Sequence, residues 1–412
     1  MLRKVLPIAI NLLVVTAMLV GCSTAAPTPT SAPAATAAPA ATTAPAPTTA
    51  PATSAPAQKI TLSIATAGDT NMEELQRNKF GPEFVKQNPN VTINVVGTGP
   101  GDAGSQAIYT KLKAEKDAGT ATWDLDVLII HQSIMGQMIK DGLALKYVPE
   151  SPLAQSITAA DAKNALGTDV DGYVIPMFHS QVAIAYNPDK VKNPPKNFDE
   201  LVAWIKANPN RFGYNGVKGG MSGVGFVAGY LYWKTGKYEQ LSRGPYDKSI
   251  EADWVNIFKE MKALPCTITN GNNGTLDMLN RGEIDMGPVW VDMFVLWKNE
   301  GRMDPKLRMV LPEPGLPGQP MYVVIPTKSA HIAEAKKYAE FICSPEQQAK
   351  VIVGQQGWYP GIDPTKVLPN VSEEAKAKLF GDIPAETLNK FGLSFPIAQY
   401  MSDFQAAYEE AK

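Results

Sequence analysis

Between positions 23 and 57 the chain uses only Ala, Pro, Thr and Ser. Nothing in that tract can bury a core, so it is expected to be disordered with polyproline II character. At ~3.1 Å per residue its contour reaches about 110 Å, the reach of a leash. Ser/Thr-Pro tracts also serve as glycosylated stalks, and the sequence leaves that choice open. The tract confines folding to residues 58–412. That stretch of about 355 residues exceeds what one core usually holds, so two lobes are expected.

The residues ahead of the tract read as a sorting signal. Arg3 and Lys4 give a positive start, residues 5–20 are mostly apolar, and the run ends Leu19-Val20-Gly21-Cys22. This is the charge-then-apolar layout of a secretory signal peptide at 1–21. Its end resembles the lipobox of bacterial lipoproteins, which implies cleavage before Cys22 and a lipid thioether on its sulfur. An uncleaved membrane anchor is the alternative, but the run falls short of the ~20 apolar residues a span needs and contains Pro7 and Asn11. The expected location is extracytoplasmic, with the chain held to the cell membrane by lipid and the linker at 22–57.

Charge and sulfur narrow the function classes. A net charge of −2 with no basic run argues against nucleic acid. Besides Cys22 there are two cysteines, Cys266 and Cys343, each beside apolar residues, and free buried thiols are expected. The histidines are His131, His179 and His331, and neither HExxH nor CxxC occurs. Neither a metal site nor a cofactor is expected.

Strand and helix patterns alternate along the folded part. Period-2 alternation marks 59–65 and 91–96 as strands, and 125–130 is a continuous apolar strand. Helices are expected at 72–87, 105–118 and 133–141. This βα alternation indicates a mostly parallel sheet covered on both faces. Residues 173–188 stand out, with apolar runs at 173–176 and 182–186 flanking Phe178-His179-Ser180-Gln181. Asn187-Pro188 ends the strand pattern. The stretch reads as a crossing between lobes whose polar patch faces the gap. Beyond it, helices are expected at 198–207, 249–264, 274–281, 330–343 and 345–353, and strands at 284–290, 309–312 and 321–326.

In this order and spacing, a set of motifs resembles the extracellular solute-binding proteins of bacterial ABC importers, from about 60 to 360. Its members are the strand and loop at 60–71, Leu125-Asp126-Val127-Leu128-Ile129-Ile130, and Met138-Ile139-Lys140-Asp141-Gly142-Leu143. Tyr186-Asn187-Pro188-Asp189-Lys190-Val191, Leu279-Asn280-Arg281-Gly282-Glu283-Ile284-Asp285 and Ser344-Pro345-Glu346-Gln347-Gln348-Ala349 continue it. The resemblance implies an α/β fold of the two-lobe periplasmic-binding-protein type (type II), with a ligand cleft between lobes joined by hinge strands. It places lobe 1 at 58–180 and 311–345, and lobe 2 at 183–308 and 350–412. It implies a monomer whose partners are a small-molecule solute and the ABC permease and ATPase subunits. The run Asn208-Pro209-Asn210-Arg211-Phe212 with Tyr214 and the following glycines partly resembles thiamine- and polyamine-carrying subgroups.

Ligands of open α/β sheets sit beyond the carboxyl ends of strands, which selects the loops after each expected strand. Asp69, Thr70 and Asn71 follow the first; Asp69 can pair with a cation, or these residues cap the next helix. His131, Gln132 and Ser133 follow 125–130, with Ser133 equally readable as a cap. Phe178, His179 and Ser180 lie in the crossing, where a solvated turn is the alternative. Ser222 and Gly223 open a helical run whose free N–H groups can hold an oxygen, or form a flexible glycine loop. Trp290 can stack on a ring or cation, or pack in the core, and Asp292 can neutralise positive charge. Tyr322, Trp358 and Tyr359 border the expected hinges. Two aspartates and two histidines, with no Lys or Arg, favour a neutral or cationic ligand.

Two enzyme motifs compete. Gly99-Pro100-Gly101-Asp102-Ala103-Gly104 fits the dinucleotide outline G-x-G-x-x-G, with Asp124 further on. Against a dehydrogenase, Pro100 sits inside the turn and the preceding strand is the second of its lobe. Gly220-Met221-Ser222-Gly223-Val224 lacks the last glycine of a hydrolase elbow. No catalytic residue is assigned; the runner-up binding role is a sensor subunit feeding a receptor. Changing Cys22→Ser is expected to release the protein from the membrane fraction and abolish labelling with a radioactive fatty acid. Undiminished labelling would contradict the lipobox.

Overall fold

The computed structural model describes residues 58–412 apart from Asp69 and Pro100. The expected leader, Cys22 and the linker lie outside the described residues. Nine strands form the main sheet: β1 (Ile60–Thr66), β2 (Val91–Gly97), β3 (Val127–His131), β4 (Ile175–Tyr186), β5 (Met286–Trp290), β6 (Arg308–Val310), β7 (Leu316–Val324), β8 (Tyr359–Pro360) and β9 (Gly392–Ser394). The helices that matter for the site are α1 (Thr70–Glu74), α2 (Gly101–Asp117), α3 (Met221–Thr235), α4 (Gly271–Asn280), α5 (Val291–Asn299) and α6 (Ala385–Phe391). Helical winding continues past α1 through Leu75–Phe80 and Gly81–Gln87, close to the helix expected from the pattern.

The first half reads as the alternation predicts. β1 pairs in parallel with β2 and β3. Both faces of this ladder are covered. Leu62, Ile64, Val127 and Ile129 pack with Phe80 and Phe84 on one side. Ala65, Leu128 and Ile130 pack with Ile108 and Leu112 on the other. Burial on both faces is why β3 carries an unbroken apolar run instead of alternation.

The sheet is less parallel than expected. β7 runs antiparallel to β3 and to β4, and β4 is antiparallel to β5, β6 and β8. Parallel neighbours need a long crossover, usually a helix. Between β3 and β4 the chain makes such a crossover with a short helix, one-turn 3₁₀ pieces and a small hairpin, so the two strands point the same way. β7, from much later in the chain, lies antiparallel between them.

β4 is one strand of twelve residues, not two apolar runs with a turn between them. Its first part pairs with β7, from Ile175↔Val323 to Gln181↔Gly318. At Val182 the partner changes, and Val182–Tyr186 pairs with Trp290–Met286 of β5. β4 thus carries hydrogen-bonded neighbours in both halves of the sheet. Strand β7 also starts earlier than its sequence suggests, because Pro317 and Pro320 mask it. Pro320 lies between the β9 ladder, which ends at Gly318, and the β3 ladder, which begins at Met321. A proline is tolerated at such a one-sided position.

The glycine motif at 99–104 has a backbone explanation. Gly99 and Gly101 adopt φ of 101° and 60°, values that L side chains disfavour. A Cβ on Gly104 would collide with the Gly99 carbonyl oxygen. That close approach folds the loop back against β1, where Gly68 N–H donates to Gly99 O at 2.9 Å. Both remaining cysteines are free thiols, Cys343 fully buried and Cys266 half-buried, and burial pushes the Cys266 thiol up to about 12.

Gly104→Ala is expected to destabilise the protein by about 3 kcal/mol, because a rigid carbonyl cannot make way for the methyl group. Urea unfolding checks this; a loss below about 0.5 kcal/mol would show that the loop relaxes freely.

Candidate functional site

A cavity of about 510 Å³ opens where the strand ends and helix starts of both halves converge. That size suits a small ligand. Its walls take residues from the loop after β1, the end of β3, the middle of β4, the end of β5 and from β7. The first turns of α1, α2, α4 and α5, and the loop leading into α3, complete it. Helix starts expose unpaired N–H groups, so the cavity is ringed by backbone donors.

Strand geometry decides which side chains reach it. In β4, alternate residues point to opposite faces. Phe178 and Ser180 line the cavity, whereas His179 and Gln181 line a different one behind the strand. Ser180 Oγ donates to Asp292 Oδ1 in the first turn of α5. Trp358 supports both neighbours from behind: its ring lies 4.6 Å from that of Phe178, and its Nε1 donates to Asp292 O at 3.0 Å. His131, buried at the end of β3, donates its backbone N–H to Ser105 Oγ at 3.0 Å. The same hydroxyl lies 3.1 Å from His131 Nδ1.

Two asparagines supply polar atoms without protein partners. Asn272 Oδ1 accepts from Trp290 N–H at 2.8 Å, which fixes the amide and leaves buried Nδ2 as an unpaired donor. Asn71 Nδ2 lies 3.4 Å from Met293 Sδ across the cavity, and its buried Oδ1 has no partner. Buried polar atoms of this kind are costly unless something else satisfies them. Met72, Met221, Met293 and Met321 line the same space and give it adaptable apolar surface.

Charge in the wall is lopsided. Asp102 and Asp292 line the cavity, and Asp102 Oδ1 accepts from Ser133 Oγ at 2.6 Å. Lys218 also lines it, and it is exposed at the rim, 2.5 Å from Glu409.

Of the residues singled out by sequence, the structure gathers His131, Phe178, Ser180, Trp290 and Asp292 around this cavity. It does not bring the others there. Asp69 lies outside the described residues. Thr70 is exposed on α1, one position before Asn71, and Gln132 is buried in the turn after β3. Ser222 is turned into the protein, with its Oγ 3.2 Å from Asn215 Oδ1, and Gly223 packs on the Gly216 carbonyl. His179 faces backwards, its Nδ1 3.3 Å from Asp161 Oδ2. Tyr322 is buried behind the sheet, its hydroxyl donating to Asp161 O; burial drives that phenol far above its usual range.

Sequence reasoning missed Asn272 and Gln319, left Asn71 out of the main set, and read Gly101, Asp102 and Ala103 only as part of a nucleotide motif. Asn272 follows the two-residue strand Thr267–Ile268, too short to leave a period-2 pattern.

Three solved structures share this architecture across most of the chain. The maltose-bound MalE3 of T. maritima is 18% identical with a TM-score of 0.67, covering 86% of this chain and 95% of its own. A spermidine/putrescine ABC transporter substrate-binding protein from Streptococcus pneumoniae is 15% identical with a TM-score of 0.60, covering 86% and 99%. The iron-bound HitA from Pseudomonas aeruginosa is 18% identical with a TM-score of 0.57, covering 85% and 99%. These similarities establish the type II periplasmic-binding-protein fold. No curated protein sequence matches the chain. The family model described as bacterial extracellular solute-binding protein matches residues 79–378, about three quarters of the sequence. The chain belongs to the bacterial extracellular solute-binding protein family.

Proposed function

We propose that the chain is the substrate-binding subunit of an ABC importer, tethered through a lipid on Cys22 and passing a small solute to a membrane permease. The observation that carries this reading is the cavity itself, walled by strand ends and helix starts from both halves of the sheet. Segments 58–180 and 311–345 form one lobe in this reading, and 183–308 and 350–412 the other. β4 is then a hinge strand, holding Phe178 and Ser180 at the ligand while bonded to β7 on one side of the crossing and β5 on the other. A solute touching both walls favours the closed arrangement, because only that arrangement offers all its contacts.

The wall favours a neutral or cationic organic solute. Its side-chain groups are amides, thioethers, aromatic rings, the His131 imidazole, the Ser180 hydroxyl and two carboxylates, with the Lys218 ammonium exposed at the rim beside Glu409. Trp290 can stack on a sugar ring or hold a cation over its face. The relatives named above carry maltose, a polyamine label and iron, so the fold leaves the solute open and the side chains decide it.

A thermal-shift screen over thiamine, spermidine, maltose and citrate tests this choice, since a ligand of the folded state stabilises by RT ln(1 + [L]/Kd). Stabilisation by the sugar or one of the cations is expected; stabilisation by citrate alone would overturn the charge argument. With the solute in hand, Trp290→Ala should weaken binding about tenfold while leaving the unfolding midpoint in urea near wild type. Unchanged affinity would make Trp290 a packing residue.

The two functions of Asn272 can also be separated. Asn272→Ala should cost about 1 kcal/mol of stability, because Trp290 N–H loses its acceptor. Asn272→Asp keeps an acceptor for Trp290 N–H but replaces the donor with a carboxylate, so it should weaken a neutral solute and tighten a cationic one. A stability loss in Asn272→Ala below about 0.3 kcal/mol in urea unfolding would show that the hydrogen bond to Trp290 contributes nothing.

A further inference from the structure

A second cavity, about 520 Å³, lies behind β4 and is lined by His179 and Gln181, the alternate residues of the same strand. Pro176, Pro320 and Pro360 give it an apolar wall from β4, β7 and β8. Two buried acceptors there have no partner in the protein. Gln181 is fully buried; its Nε2 donates to Val182 O at 2.9 Å and to Leu316 O at 2.6 Å. Those two bonds fix the amide, so the unpaired atom is Oε1. It lies between Gly318 and Gly392, where an added Cβ would come within 2.7 Å and 3.1 Å of it, and Gly392 lines the cavity. Asp161 Oδ2 sits 3.3 Å from His179 Nδ1, while its buried Oδ1 has no partner.

An unsatisfied buried acceptor costs free energy that a ligand's N–H or O–H can recover. A carboxylate and an amide oxygen in an apolar chamber match a compact apolar body bearing an ammonium group. We propose that this cavity is a second small-molecule site, separate from the cleft, which takes a small apolar amine with its N–H groups on Asp161 Oδ1 and Gln181 Oε1. The site sits against the rear of the strand whose front presents Phe178 and Ser180, and it does not depend on what the cleft binds.

Benzylamine and benzyl alcohol serve as probes, followed by saturation-transfer NMR on the full chain. Benzylamine is expected to bind with a Kd of about 1 mM or tighter, and benzyl alcohol more weakly. Ala385→Trp places a bulky ring at an exposed lining position of this cavity, and Asp161→Asn removes the charge. Each should weaken benzylamine at least tenfold, with unchanged circular dichroism showing that the fold survives. Trp290→Ala, in the cleft, should leave benzylamine binding as it was. Absence of binding to the wild type overturns the proposal. So does loss of binding in Trp290→Ala, or retention in both rear-cavity variants.

Discussion

Two-residue periodicity along β4 is the constraint on which the centre of this structure depends. A strand sends neighbouring side chains to opposite faces, and at 178–181 each face borders a cavity. Phe178 and Ser180 must go forward if His179 and Gln181 go back. Slipping the register by one residue would exchange the pairs, putting an imidazole and an amide where the Phe178 ring and the Ser180 hydroxyl now line the cavity. Several features pin the register. The ladder to β7 shifts between Met321 and Tyr322, and the Gln181 amide bonds to Leu316 O on the neighbouring strand. The change of partner at Val182 fixes the far end.

That register matters because it aligns the strand with the start of α5. Ser180 Oγ reaches Asp292, whose backbone carbonyl also accepts from Trp358. Hydrogen bonds to a charged group contribute more than neutral ones, about 1.5–3 kcal/mol. The hydroxyl, the carboxylate and the indole therefore tie together β4, α5 and the segment before β8. Each comes from a different part of the chain, so the cavity floor forms only when the tertiary fold is complete.

How much of this was legible varied with the physics of each segment. The parallel ladder of β1, β2 and β3 could be read because burial on both faces leaves continuous or alternating apolar runs. β7 could be read only from Met321 onward, since Pro317 and Pro320 argue against a strand unless one side of it is unpaired. The rule that ligands gather beyond strand ends found His131, Trp290 and Asp292, whose strands are long enough to leave a pattern. It passed over Asn272, which follows a strand of two residues. That His179 lines the cavity on the other face of β4 was hidden for another reason. A polar patch in an apolar strand suggests one wet face, and the sequence does not say that both faces are lined by cavities. The glycines at 99–104 satisfied a nucleotide pattern because a tight turn and a close backbone approach require glycine whatever the ligand.

The electrostatic character of the cleft follows from where its carboxylates sit, beyond how many there are. Asp102 and Asp292 both occupy first turns, of α2 and α5. A carboxylate there interacts favourably with the positive end of its own helix. It also accepts from a nearby hydroxyl, Ser133 in one case and Ser180 in the other. Part of each negative charge is thus balanced before any solute arrives. The positive helix starts around the rim would otherwise draw an anion, and these two residues oppose that attraction. Lys218 cannot restore it, being paired with Glu409 and exposed. Under the proposed reading, the fields of helices and carboxylates are set against each other and discrimination falls to shorter-ranged contacts. The groups available for those are the Trp290 ring, the Asn272 donor and the Asn71 acceptor, with the Asn272 amide fixed by its bond to Trp290 N–H.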